Sequence, residues 1–343
     1  MNRYLGIQAL RYIAAILVVI SHTTQAFNIH ITKLGPDIYW HTGTVGVDIF
    51  FVISGFVMYT SSEALPDGRH SSLTFLIKRL IRIVPLYWIA LLVKLAIIMV
   101  APLAAVGNTI DFKHLMASFF FVPWVSPRGD TVPFVPVGWT LNLEMMFYAF
   151  CAASILMGGR RLFTIFALLA AIYLASKVDR NAQLTFWGNP IILEFGFGLL
   201  LGRHRKSIQQ IPNWLGLCSI AIGCLAIFWF MPHLSFSRPI EWGIPSLLIV
   251  MGTISIEKLI VKSKYIATLE NMGAASYSIY LLHTMAIPAI SQLFSRLHMD
   301  SEALLILVAV GSSTVIGSFS YKLIESPLST YLNKAVKPHL RTT

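Results

Sequence analysis

The sequence predicts an all-α fold: a polytopic transmembrane bundle of about ten helices, with N- and C-termini cytoplasmic and one re-entrant or interfacial segment near 112–124. Three observations carry this expectation. The 343 residues are 56% hydrophobic and only 12% charged, about half the charged fraction of a soluble domain. The apolar residues come in repeated runs close to the roughly 20 residues that a helix needs to cross a bilayer. The basic residues are biased in a way that fits a single orientation.

The runs lie at about 5–27, 44–61, 83–103, 138–157, 162–176, 188–202, 213–231, 239–256, 273–293 and 303–321. With the N-terminus inside and alternating crossings, the inside segments hold 17 lysines and arginines and the outside segments hold 7. This is the positive-inside pattern. The net charge of +11 therefore reads as basic cytoplasmic loops, and no nucleic-acid partner is expected. Phe112 to Trp124 is apolar but too short to cross, and a span there would reverse every later loop. It is read as lying on or dipping into the outer face. No polar stretch has the length of a soluble domain. The chain divides into one membrane domain over 1–322 and a basic cytoplasmic tail over 323–343. The first run carries Arg11 and is followed by no A-x-A-like site, so a cleavable signal peptide is not expected. Cys151, Cys218 and Cys224 all sit in apolar runs, read as small buried hydrophobes, and suggest neither a disulfide framework nor a metal site.

The functional signal lies in titratable residues within the spans, which are costly there and default to function. Arg11 and His22 share the first span. Eleven steps of about 100° bring them to within about 20° of one face, about 16 Å apart along the axis. Alternation places Arg11 nearer the cytoplasm and His22 nearer the outer face. Asp48 is expected at a depth near that of His22, and Glu144, Glu194 and Glu241 in the outer half. His283 falls near the middle of its span. Each has a plainer explanation: Glu241 solvated at the interface, Lys94 snorkelling, Glu194 a helix-packing partner beside Gly196 and Gly198, a lone histidine merely hydrogen-bonded. Arg79 and Arg82 lie on one helix face at i,i+3, where a cytoplasmic loop enters the third span. They are either topological charge or a clamp for a phosphorylated ligand, since guanidinium geometry matches phosphate oxygens.

Four stretches give the chain a family likeness. They are the R-x10-H pattern from Arg11 to His22; GVDIFFVISGF from Gly46 to Phe56; RLIRIVPLYW from Arg79 to Trp88; and WTLNLEMMFY from Trp139 to Tyr148. Weaker echoes are YSIYLLH ending at His283 and Ile324-Glu325-Ser326-Pro327. In this order the chain resembles the acyltransferase-3 family of integral membrane acyltransferases over nearly its whole length. It looks like the stand-alone form and is similar to the branch that modifies exopolysaccharide. Thr140 and Met145 depart from the family pattern without removing its arginine, histidine or acid.

The resemblance implies a bacterial inner-membrane O-acyltransferase with acyl-CoA, acetyl-CoA favoured, as donor substrate, and no permanently bound cofactor or metal. Its acceptor is a hydroxyl of an exported or surface glycan, or of a lipid-linked saccharide. It implies that Arg79, Arg82 and the deeper Arg11 bind the donor and that His22 is the general base. A carboxylate, Asp48 first and Glu144 second, would orient the imidazole. Ser54, Trp139, Tyr148, Glu194 and His283 stand as supporting residues. Direct transfer and an acyl-histidine intermediate are both compatible with these residues. The competing class is a transporter or flippase for a lipid-linked glycan, whose inverted repeats and paired broken helices are not evident.

Overall fold

The computed structural model describes residues 4–100, 110–230, 237–262 and 266–336. Residues 101–103 and 231 of the expected spans lie outside the described residues, as do Arg3, Lys264, Lys337 and Arg341 of the charge count. Among the described residues there are helices and no strands. In chain order they are α1 (Leu5–His30), α2 (Val45–Ser62), α3 (Arg69–Val100), α4 (Phe112–Phe119), α5 (Gly138–Met157), α6 (Arg161–Val178), α7 (Ala182–Trp187), α8 (Ile192–Ile208), α9 (Asn213–Leu225), α10 (Ile244–Ser255), α11 (Glu257–Ile260), α12 (Ile266–Ala274), α13 (Ser276–Arg296), α14 (Glu302–Ser320) and α15 (Ser326–Val336).

Each expected apolar run meets a helix. Among the described residues, seven helical stretches are long and apolar enough to cross a membrane: Leu5–His30, His41–Ser62, Arg69–Val100, Gly138–Met157, Arg161–Val178, Ala182–Ile208 and Glu302–Val336. Asn213–Trp229 and Pro239–Ser255 are shorter apolar helices. The run at 273–293 becomes α13, whose apolar character is diluted by Ser276, Ser278, His283 and Ser291, all fully buried. The tail expected from 323 continues as helix to Val336.

The chain forms two compact units, residues 1–64 with 190–320 and residues 65–189 with 321–343. In the first unit, α1 packs against α2, α12, α13 and α14, and α2 lies along α8. The α2–α8 approach needs glycine. A Cβ on Gly55 would strike the backbone oxygen of Phe195, and one on Gly198 that of Val52. Such close crossings let small residues bring two helix backbones together where lipid supplies no hydrophobic drive. The start of α1 is capped from far along the chain. The Glu257 carboxylate accepts from the Leu5 and Gly6 N–H groups at 2.5 and 3.0 Å, satisfying two of the donors a helix start leaves open. Burial pushes the Glu257 carboxyl up, against the pull of those two N–H groups.

In the second unit, α3 and α5 run antiparallel. Gly68 N–H donates to the Ile155 carbonyl, Ser72 Oγ donates to the Ala152 carbonyl at 2.7 Å, and Tyr87 packs on Gly138. Residues 112–124, expected to be interfacial or re-entrant, form the eight-residue α4 followed by irregular chain. Asp111 caps α4 at the His114 N–H. The following strap is fixed by Lys94 Nζ donating to the Phe134 carbonyl at 2.6 Å and by Ser118 Oγ accepting from Phe134 N–H at 2.9 Å. Lys94 thus serves as an internal anchor; it was expected to snorkel. In the loop before α3, Asp67 accepts from Arg161 Nε at 2.8 Å and from Gly159 N–H at 3.2 Å. These bonds, Arg161's first, hold its carboxyl below the usual range.

Candidate active site

His22 sits on α1 eight residues before the helix ends and is half-buried. Its Nδ1 lies 2.8 Å from Nε2 of His283 on α13, and His283 is fully buried. The other His283 nitrogen, Nδ1, is 3.3 Å from the Ile279 carbonyl. A carbonyl only accepts, so His283 Nδ1 carries the proton and its Nε2 is the acceptor. His22 therefore donates through Nδ1–H, which leaves its own Nε2 with a free lone pair. Two imidazoles and one carbonyl fix the tautomer of His22 in the form a general base needs. Tyr280 flanks His283 with ring centroids 5.8 Å apart, and Phe50 of α2 meets Tyr280 edge-on at 5.6 Å. Arg11 lies half-buried on the same helix.

Asp48, expected as the first carboxylate to orient His22, is placed elsewhere. A short 3-10 turn, His41–Thr44, precedes α2. A Cβ on Gly43 would meet Ser21, and one on Gly46 would meet Val18, so α2 descends antiparallel to α1. Asp48 comes to the level of Ala14, about 12 Å along the axis from His22. Its fully buried carboxylate takes a two-pronged hydrogen bond from Arg238, with Nε at 2.9 Å and Nη2 at 2.8 Å. The Glu194 carboxyl, also fully buried, faces Asp48 and Arg238, with its Cγ close against Gly243. Sequence reasoning missed Arg238, counting it among outer-loop charges. The available signal was the need of a buried Asp48 for a cation, together with an arginine directly before the Pro239 helix start. Ser54 is half-buried on α2.

The second unit gathers the remaining residues. Tyr148 OH donates to Glu144 Oε1 at 2.6 Å. The Arg79 guanidinium lies 5.4 Å from the Phe75 ring centroid and 6.0 Å from that of Tyr148, and interacts electrostatically with Glu144 and Arg82. Glu144, the second carboxylate expected beside His22, belongs to this group. Trp139 is half-buried in the first turn of α5. Two arginines and one carboxylate in this group give a net positive charge, with one guanidinium near two aromatic rings. That suits an anion with several oxygens. Among the described residues, no three histidine, cysteine or acidic side chains are grouped to hold a metal ion.

The family model described as an acyltransferase domain matches residues 4–323. The chain belongs to the acyltransferase-3 family. It is a multi-pass membrane acyltransferase. It is similar to the exopolysaccharide production protein ExoZ of Rhizobium meliloti (strain 1021), 36% identical over 297 residues, covering 83% of this chain and 89% of that protein. It is also similar to provisionally named O-acetyltransferases of Staphylococcus aureus (strains COL and MSSA476), each 23% identical over 95% of this chain but only 57% of their own length. No solved structure matches significantly. All four motif stretches fall within the matched region.

Proposed function

We infer that this acyltransferase moves an acyl group, acetyl in the first place, from cytoplasmic acyl-CoA to a hydroxyl of an exported or surface glycan. Its setting is the bacterial inner membrane, with both termini cytoplasmic. The observation that carries the reading is the His22 Nδ1 to His283 Nε2 hydrogen bond of 2.8 Å, which leaves a basic nitrogen on the R-x10-H helix. The glycan acceptor draws support from the likeness to an exopolysaccharide production protein. The orientation draws support from the 17-to-7 distribution of basic residues.

In this reading Arg79 and Arg82 take the donor's phosphates, with Tyr148 and Glu144 holding the side chains in place; Arg11 is a further donor-binding residue. His22 Nε2 removes the proton of the sugar hydroxyl as its oxygen attacks the thioester carbonyl. The C–O bond forms, the C–S bond breaks, and the imidazolium returns its proton to the departing CoA sulfur. General base catalysis of this kind contributes roughly 10²–10⁴-fold. His283 keeps His22 in the required tautomer and accepts a stronger, charge-assisted bond while His22 is protonated. Asp48 and Glu194 act with Arg238 to fix α2, α8 and the helix that follows Arg238.

The test is reconstituted protein supplied with labelled acetyl-CoA and polysaccharide from cells lacking the chain. Label should enter the polysaccharide with the native protein and not with His22→Ala at equal amounts of folded protein. Normal transfer by His22→Ala would remove the base assignment. Polysaccharide translocation without label would favour the transporter class.

A further inference from the structure

The α3–α5 seam holds two buried polar side chains that the reaction scheme leaves unused. Tyr87 is 0% exposed and Asn142 is 1% exposed. The Tyr87 hydroxyl and both polar atoms of the Asn142 amide have no hydrogen-bond partner among the described residues. Inside a membrane protein no solvent compensates such groups, so each is costly. Three such unpaired atoms on two paired helices call for a ligand that carries the complementary donors and acceptors.

Their position says which ligand. A Cβ on Gly138 would come 2.5 Å from the Tyr87 hydroxyl, so the phenol lies against the glycine backbone. Asn142 is one turn further along α5, on nearly the same side. Along α3, Tyr87 follows Arg79 by eight residues, about 12 Å. The antiparallel pairing of the helices puts Asn142 between these two levels. Starting from the Arg79–Arg82 pair, the seam thus offers positive charge, then an amide, then a phenol. A CoA ester presents the matching series: phosphates, then the two secondary amides of the pantetheine arm. Asn142 has one acceptor and one donor for an amide N–H and a neighbouring C=O, and the Tyr87 hydroxyl donates to a further C=O.

We propose that Asn142 and Tyr87 form the pantetheine-recognition part of the donor site, so that the arm runs along the α3–α5 seam with its amides paired to these two side chains. This rests on acyl-CoA being the donor. Neither residue touches the reacting atoms; both determine specificity.

The test is equilibrium binding to purified protein in lipid nanodiscs, with two probes: CoA, and 3′-phospho-ADP, which keeps all three phosphates of CoA and lacks the arm. The native protein should prefer CoA. Asn142→Leu and Tyr87→Phe should each lose about five- to thirtyfold of that preference, as expected for one or two buried hydrogen bonds. Binding of 3′-phospho-ADP should be unchanged in both, whereas Arg82→Ala should weaken both probes. Tyr87→Phe removes a single oxygen, so it decides the matter if Asn142→Leu fails to fold. Native protein that binds neither probe would overturn the acyl-CoA reading itself. Native protein that prefers CoA while both variants keep the full preference would overturn this proposal alone.

Discussion

Replacing His283 by leucine takes away the acceptor that fixes His22 while keeping an apolar side chain of similar bulk in a fully buried position. The effect can be sized from the bond. With neutral rings, the 2.8 Å contact contributes about 1 kcal/mol; once His22 carries the hydroxyl proton the bond is charge-assisted, about 1.5–3 kcal/mol. The variant loses the bond in both states, so only the difference of about 0.5–2 kcal/mol falls on kcat, roughly two- to thirtyfold. The KM for the donor should hardly move. The loss should stay smaller than that of His22→Ala, which removes the proton acceptor itself. His283→Gln keeps an acceptor oxygen for His22 Nδ1–H and a donor for the Ile279 carbonyl, and should recover most of the rate. The assay is the initial rate of labelled acetyl transfer to polysaccharide at varied donor concentration, normalised to folded protein. A His283→Leu variant with native kcat, or one whose whole defect lies in KM, would refute the tautomer argument.

Three further expectations follow from the same geometry. Arg238→Gln leaves the fully buried Asp48 carboxylate without its partner, and should destabilise the protein by roughly 3–5 kcal/mol, toward the lower end because 35% of the Arg238 side chain is exposed; adding Asp48→Asn should recover much of the melting temperature, and additive losses would remove the pairing argument. Gly198→Val drives a branched side chain into the Val52 carbonyl and should cost at least about 1–3 kcal/mol, read as a lower melting temperature or loss of folded protein on size exclusion. Asp67 has a folded pKa below its unfolded one, through Arg161 and Gly159, so its contribution is present above the ordinary carboxylate range and lost as pH falls through the folded value. The stability gap between native protein and Asp67→Asn should therefore be constant near neutrality and close on acidification, and a gap that widens toward acid would contradict the assigned bonds.

Much of the fold was legible in the sequence because a bilayer imposes local constraints: span length, apolar content and charge bias can each be counted along the chain. The motif stretches were legible for the same reason, since R-x10-H and R-x-x-R are helix-face spacings. What joins those stretches was not. His22 and His283 stand 261 residues apart, and nothing local to α13 says which helix its buried imidazole meets. The depth of Asp48 depended on the His41–Thr44 turn and on how closely Gly43 and Gly46 let α2 approach α1. Span boundaries uncertain by several residues could not resolve a shift of that size. Lys94 was legible as a costly charge, but its acceptor is a backbone carbonyl, which no residue type announces.

The division of labour between Asp48 and His283 follows from the number of hydrogen bonds each group makes. Both Asp48 oxygens are committed to Arg238, and turning one toward an imidazole would strand part of a guanidinium in a buried, acid-flanked position. A carboxylate beside His22 would also favour the protonated ring before substrate arrives, spoiling a base that must begin neutral. A second imidazole avoids this. It accepts from His22 Nδ1–H without bringing a fixed negative charge, and its own proton is held by the Ile279 carbonyl. For the proposed reaction of an uncharged hydroxyl with an uncharged thioester within a membrane, a neutral orienting partner costs less desolvation than an ionic one. The acids of the first unit are then free to serve where a permanent charge is useful, in holding Arg238 against α2.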